Sequence, residues 1–126
     1  MKIYLAMRYA QVTKYKKLCS ELRSKGHEIT VDWSEQLNIK PYEKHPKLSE
    51  ECALRDLKGV EAADTFILVA EYFPDARGIL IELGYALRIA QEKKLKIIVV
   101  NKERNSVFYY HPLITRVKTI EEAFSL

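Results

Sequence analysis

Two cysteines are all the chain contains, and Cys19 and Cys52 lie far apart with no histidine cluster beside either. A disulfide scaffold and a zinc site are thereby unsupported, and packed free thiols are expected. Histidine is nearly as sparse: His27, His45 and His111 share no metal-ligand spacing, so neither a metal nor any other cofactor is expected. Long apolar runs are missing too, since a stretch such as Phe66 to Ala70 cannot span a bilayer. The apolar start, Ile3 to Met7, is too short for a secretory signal and meets Arg8 without a cleavage pattern, which predicts a cytoplasmic protein. No Gly-x-Gly-x-x-Gly or Walker sequence follows an apolar run, which argues against dinucleotide and nucleoside triphosphate sites of those kinds, and no Ser/His/Asp set is indicated. Zinc-finger, RNP-like aromatic and arginine-rich signatures are also lacking, so no nucleic-acid polymer is expected as a partner.

What is present is ordinary for a soluble domain. At 126 residues, 48% of them hydrophobic, the chain can bury one core but not two, giving one domain over 1–126. The formal charge of +4 is spread over runs such as Lys14, Lys16 and Lys17 or Lys93, Lys94 and Lys96, which read as solvated faces and weakly favour an anionic ligand. Residues 2–6 read as a buried strand, and Val12, Tyr15, Leu18, Cys19 and Leu22 mark a helix over about 12–25 that Gly26 stops. A second strand is predicted over 27–33, followed by a long polar segment with Pro41, His45 and Pro46 that suits a ligand loop. A helix is expected from near Ser49 to Ala63. The runs 65–70 and 96–100 are apolar throughout, as in strands buried on both faces of a parallel sheet, with a helix to about Gln91 between them. A short edge strand near 116–118 and a helical turn over 120–124 complete the chain.

Strand and helix alternate throughout, which predicts an α/β fold: a flavodoxin-like or Rossmann-like three-layer sandwich around a five-stranded, mainly parallel sheet. Ligands of such folds sit at the carboxyl ends of the strands. That rule draws together the loop from Ala6 through Arg8 and Tyr9, the exit at Trp33, and the segment holding Tyr72, Phe73 and Asp75 ahead of Gly78. Gly78 is expected to bend the chain there. Tyr9, Trp33, Tyr72 and Phe73 suit stacking on a flat heterocycle, and Arg8 and Arg77 suit an anion. Tyr4 reads as core or pocket wall. Glu82 stands out, since Ile79, Leu80, Ile81, Leu83 and Ala86 deny it a polar helix face and imply at least half burial. The helix macrodipole would keep it ionised, as a nucleophile or as a plain helix-terminus residue. Asp56 reads as a site acid or an exposed helix aspartate, Asp75 as a ligand group or a turn residue, and Tyr109, with Tyr110 and His111, as a residue that completes the pocket of a neighbouring subunit or as packing for the last strand.

The run from Asp56-Leu57 to Asp64, the apolar strand to Ala70, and Gly78-Ile79-Leu80-Ile81-Glu82-Leu83-Gly84-Tyr85-Ala86-Leu87 resemble the nucleoside 2-deoxyribosyltransferase family, including its 2'-deoxynucleoside 5'-phosphate N-hydrolase relatives. Met1 to Ala6 and Asn105 to Pro112 extend the resemblance over most of the chain. It implies a flavodoxin-like homo-oligomer that cleaves the N-glycosidic bond of a deoxynucleoside or its 5'-monophosphate, without metal. Glu82 matches the catalytic glutamate and Asp56 an aspartate of the site, while Asp75 lies one position from a further one. The resemblance also implies a covalent deoxyribosyl ester on Glu82, resolved by water or by a second base. Arg8 becomes a candidate for a 5'-phosphate. The mid-helix Gly84 fits close packing against sheet or sugar. A catalytically silent nucleotide-binding module on the same fold is the alternative.

Overall fold

Apolar side chains on both faces of Tyr4–Ala6, Thr65–Val69 and Ile97–Val100 leave these segments no solvent-facing side, and they form the centre of the sheet. The computed structural model describes residues 1–36, 38–70, 77–101 and 106–126. In chain order the elements are β1 (Lys2–Ala6), α1 (Val12–Ser24), β2 (Glu28–Ile29), α2 (Pro46–Ala62), β3 (Thr65–Val69), α3 (Arg77–Ala90), β4 (Lys96–Val100), β5 (Ile114–Val117) and α4 (Ile120–Phe124). The strands run in the order β2-β1-β3-β4-β5, every neighbouring pair parallel, with Tyr4 beside Phe66 and Phe66 beside Ile97. The predicted α/β architecture is therefore the observed one, and the sheet is wholly rather than mainly parallel.

Helices cover both faces. α2 and α3 pack together on one, where Tyr85 of α3 donates to the Glu61 carboxylate of α2. α1 and α4 share the other, with the Lys25 ammonium over the Phe124 ring. Among the described residues no helix is long and apolar enough to cross a membrane. Strand order reverses between β1 and β3, so the crevice of such a fold opens at their carboxyl ends.

Local chemistry explains the boundaries. Gly26 takes φ +89°, and the His27 amide bonds back to the Leu22 carbonyl, ending α1 as anticipated. Thr119 accepts from the Glu122 amide and so caps the start of α4, and the Glu122 carboxylate accepts from the Thr119 hydroxyl. Three elements depart from expectation. The second strand is only Glu28–Ile29, because beyond the Thr30 amide bond to Ile3 the chain leaves the ladder and the alternation of Val31 and Trp33 buries them beneath helices instead. α2 begins at Pro46, three residues early, since proline lacks the amide hydrogen that a first turn leaves unused. β5 begins at Ile114 rather than near Arg116.

One glycine sets a helix distance. A Cβ on Gly59 would lie 2.2 Å from Val31 Cγ2 and 3.1 Å from two carbons of the Tyr4 ring, so α2 lies close over β1 only because no side chain stands there. Val31 is buried and β-branched, so its χ1 is restricted and it can give way only a little. Gly59→Ala is expected to destabilise the fold by about 1–3 kcal/mol through overpacking despite alanine's better helix propensity. Urea denaturation checks it, and an unchanged midpoint would refute the close approach. Of the two roles expected of Gly84, packing on the sheet is not the one it serves: it is exposed, and a Cβ there would meet nothing within 4 Å. Gly78 likewise lies in open space inside the first turn of α3 with no positive φ, so the bend expected of it does not fall there.

Candidate functional site

Tyr4 alternates with Ile3 and Leu5 along β1 and points to the α2/α3 face. Its ring stacks on Phe66 at 5.6 Å between centroids and lies under Gly59. The hydroxyl donates to the carboxylate of Glu82, in the second turn of α3. Glu82 is thus partly buried as expected, and its partner is a strand tyrosine. The charge of Asp56, from the middle of α2, reaches both Glu82 and Tyr4. Three elements therefore bring a carboxylate pair and a phenol together.

Burial sets the electrostatics. It is the largest cause of Glu82's pKa being pushed up to about 7; the Tyr4 hydrogen bond pulls it down, Asp56 adds upward pressure, and Arg55 opposes it. The expectation that the macrodipole keeps this group firmly ionised is corrected: desolvation outweighs it, and Glu82 titrates near neutrality. Burial, then Glu82 and Asp56, push the Tyr4 hydroxyl far above the ordinary tyrosine range, so it stays a donor. Asp56 is also shifted upward by burial, although Arg55 resists by bonding Oδ1 through Nε at 3.1 Å and Nη2 at 2.9 Å. Tyr4→Phe removes a bond that favours the charged form, so the Glu82 midpoint should move above 7. A carbon-13 NMR titration of the Glu82 carboxyl reads it, and an unmoved midpoint would refute the bond.

An aromatic wall stands on the β2 side. Trp33 is buried and stacks on Tyr15 at 4.0 Å, while Tyr9, 38% exposed, lies 5.9 Å from Trp33 and donates to the Gln36 carbonyl at 3.0 Å. Trp33 therefore gives one ring face to Tyr15, and Tyr9 is the more accessible member. Ala6 is buried at the end of β1, and Arg8, partly exposed, opens the short turn that carries Tyr9. Gly78 is exposed in the first turn of α3. Tyr109 is buried in the core beside β5, while its neighbour Tyr110 is exposed under the Arg116 guanidinium at 3.8 Å. Tyr72 and Asp75 lie outside the described residues. Among the described residues no group of three or more His, Cys, Asp or Glu side chains is arranged to hold a metal.

Sequence reasoning did not single out Arg55, Gln36 or the Tyr4–Glu82 pair. Arg55 Nη2 also bonds Gln36 Oε1 at 2.7 Å, and Cys52 Sγ reaches the same oxygen at 3.3 Å. The period-two alternation of β1 put Tyr4 on one face; no pattern signals a bond between a loop glutamine and an arginine 19 residues on.

The nucleoside 2-deoxyribosyltransferase family model matches residues 3–122, taking in β1, α2, β3 and the Glu82 helix. The chain belongs to this family. The solved CMP N-glycosidase BcmB of Clostridium botulinum is similar to it, with 19% identity over 99% of this chain and 96% of that one and a TM-score of 0.65. A 2-deoxyribosyltransferase from the psychrotolerant bacterium Bacillus psychrosaccharolyticus matches at 18% identity over 100% and 92%, with a TM-score of 0.67. At such identity these two speak for the fold. No curated protein sequence gives a significant match. Membership of the nucleoside 2-deoxyribosyltransferase family supports glycosyl transfer or cleavage on a nucleoside.

Proposed function

We propose that this protein cleaves the N-glycosidic bond of a 2'-deoxynucleoside or its 5'-monophosphate, with Glu82 as nucleophile. The observation that carries the reading is the Tyr4–Glu82 bond beside Asp56, in a chain of this family. In its ionised form Glu82 attacks the anomeric carbon, the bond to the base nitrogen breaks, and a deoxyribosyl ester forms. Tyr4 orients the carboxylate. The leaving base takes a proton from an acid, which we assign to Asp56, whose raised pKa suits proton donation; Asp75 is the other candidate. Water or a second base then attacks the ester and restores Glu82, giving hydrolysis or exchange. Tyr9 and Trp33 would flank the base, and Arg8 would meet a 5'-phosphate. Tyr72 and Gly78 complete the assignment of the pocket within the chain, with Ala6 as its floor, and Tyr109 is assigned to it only as a residue of a neighbouring subunit.

Purified protein incubated with each common 2'-deoxynucleoside, its 5'-monophosphate, and CMP, with and without a second free base, should release base as read by chromatography. Acceptor dependence separates exchange from hydrolysis, and CMP tests whether a ribosyl substrate is taken. Glu82→Ala should release none; release that survives it in a pure preparation would end the reading. Nucleotide binding without release over hours would instead favour the silent binding module.

We place the protein in the cytoplasm and infer that it self-associates. Ile81 is 67% exposed and Leu80 46%, and with Leu54 at 61% on the adjoining α2 they leave apolar area that one chain does not cover. The open space above Gly84 lies on the same helix and would admit a close helix approach. Ile81→Lys should shift the species seen by light scattering towards monomer; an unchanged mass would refute this face as the contact.

A further inference from the structure

Arg55 holds two things at once. Both of its bonds to Asp56 fall on Oδ1, and among the described residues Oδ2 takes no donor. A carboxylate held by one oxygen through two nitrogens is fixed in rotation and still has an oxygen to offer. The same Nη2 bonds Gln36 Oε1 at 2.7 Å. Gln36 in turn belongs to the aromatic wall: its amide donates to the Trp33 carbonyl at 3.1 Å, and its own carbonyl accepts from Tyr9. The pair is partly exposed, Arg55 37% and Asp56 31% along their side chains, so burial alone does not account for the arrangement.

We propose that Arg55 is a positioning residue that fixes the rotation of Asp56 and, through Gln36, ties that acid to the Tyr9–Trp33 wall. This rests on the glycosidase reading above. The surface that receives the base and the acid that meets it are then one unit, so their register does not depend on the loop's own stiffness. A lysine could keep the charge beside Asp56 but not the planar fork that reaches both partners.

Three variants separate charge from geometry, assayed on the best-cleaved of the common 2'-deoxynucleosides, their 5'-monophosphates and CMP. Gln36→Leu should raise KM by about tenfold, the loss of one charge-assisted hydrogen bond, and leave the pH profile in place. Arg55→Lys should show the same KM defect with the wild-type pH profile. Arg55→Met should add a shift of the Asp56 limb to higher pH, since Tyr4 and Glu82 also face Asp56 and, among the described residues, Arg55 is the positive charge that holds its pKa down. In Gln36→Leu and both Arg55 variants Trp33, the single tryptophan, should become more open to acrylamide quenching. Wild-type KM, profile and quenching in Arg55→Met and Gln36→Leu would overturn the proposal, as would equal losses in Arg55→Lys and Arg55→Met accompanied only by a lower melting temperature. Should Arg55→Met not fold, Gln36→Leu and Arg55→Lys still decide. Were the wild-type protein to release no base, the glycosidase reading would fail, while Trp33 quenching would still report whether Arg55 and Gln36 hold the wall.

Discussion

Glu82→Gln is expected to cost about 10⁴-fold or more in base release while making the fold more stable at neutral pH. The first effect follows from losing the nucleophile proposed above. The second follows from linkage: the folded-state pKa of about 7 lies above the ordinary 4.5, so the folded protein holds this proton more tightly than the unfolded chain does. The contribution is fully present below pH 4.5 and is lost as pH rises through about 7, where an ionised carboxylate must be kept among apolar neighbours. Glutamine carries no charge and can still accept from Tyr4. Above pH 7 the variant should therefore gain on the order of 1–3 kcal/mol, and near pH 4.5 the gain should vanish. Denaturant midpoints at pH 5 and pH 8 measure it. Equal differences at both values would show that Glu82 is not held at the cost described.

Asp56→Asn should lower base release by about 10²–10⁴-fold, the usual contribution of a positioned acid. The loss should be smaller for substrates whose base leaves readily unprotonated, because they need the acid least. The variant should also move the acidic limb of kcat/KM to lower pH, since the charge of Asp56 helps hold Glu82's pKa up. This shift is opposite in sign to that of Tyr4→Phe. Profiles from pH 5 to 9 test both. A rate loss with the limb unmoved would mean that the two carboxylates do not share one site.

The strands at the centre of this fold were legible because burial on both faces removes ambiguity: Thr65–Val69 and Lys96–Val100 lie where the apolar runs put them. The segment after Ile29 misled because Val31 and Trp33 alternate for packing rather than for pairing, and alternation alone does not tell a ladder from a buried extended chain. Glu82 could be found from its apolar neighbours, but its protonation could not: a macrodipole can be inferred along a helix, whereas the depth of a carboxyl beneath Tyr4 and α2 exists only in three dimensions. Arg55 escaped for a related reason. Adjacent residues on a helix do not usually face one another, and its reach to Asp56 and Gln36 depends on where a loop returns. The close approach to the sheet that the helical pattern suggests at Gly84 occurs at Gly59, and sequence alone does not distinguish two glycines in helices, because the difference lies in which side chains of other elements stand opposite.

The brevity of β2 bears on how such a protein can change over generations. With two residues in register, the border strand contributes little to the sheet, while the stretch between Thr30 and Pro46 supplies Trp33, Gln36 and a whole flank of the crevice. Lengthening a loop costs only about 0.6 kcal/mol per doubling, and an insertion here would not disturb the β1–β3–β4 ladder. On the proposed assignment of the site, substrate preference can therefore drift by gain and loss of residues in this stretch while the Tyr4–Glu82 pair beneath it stays fixed.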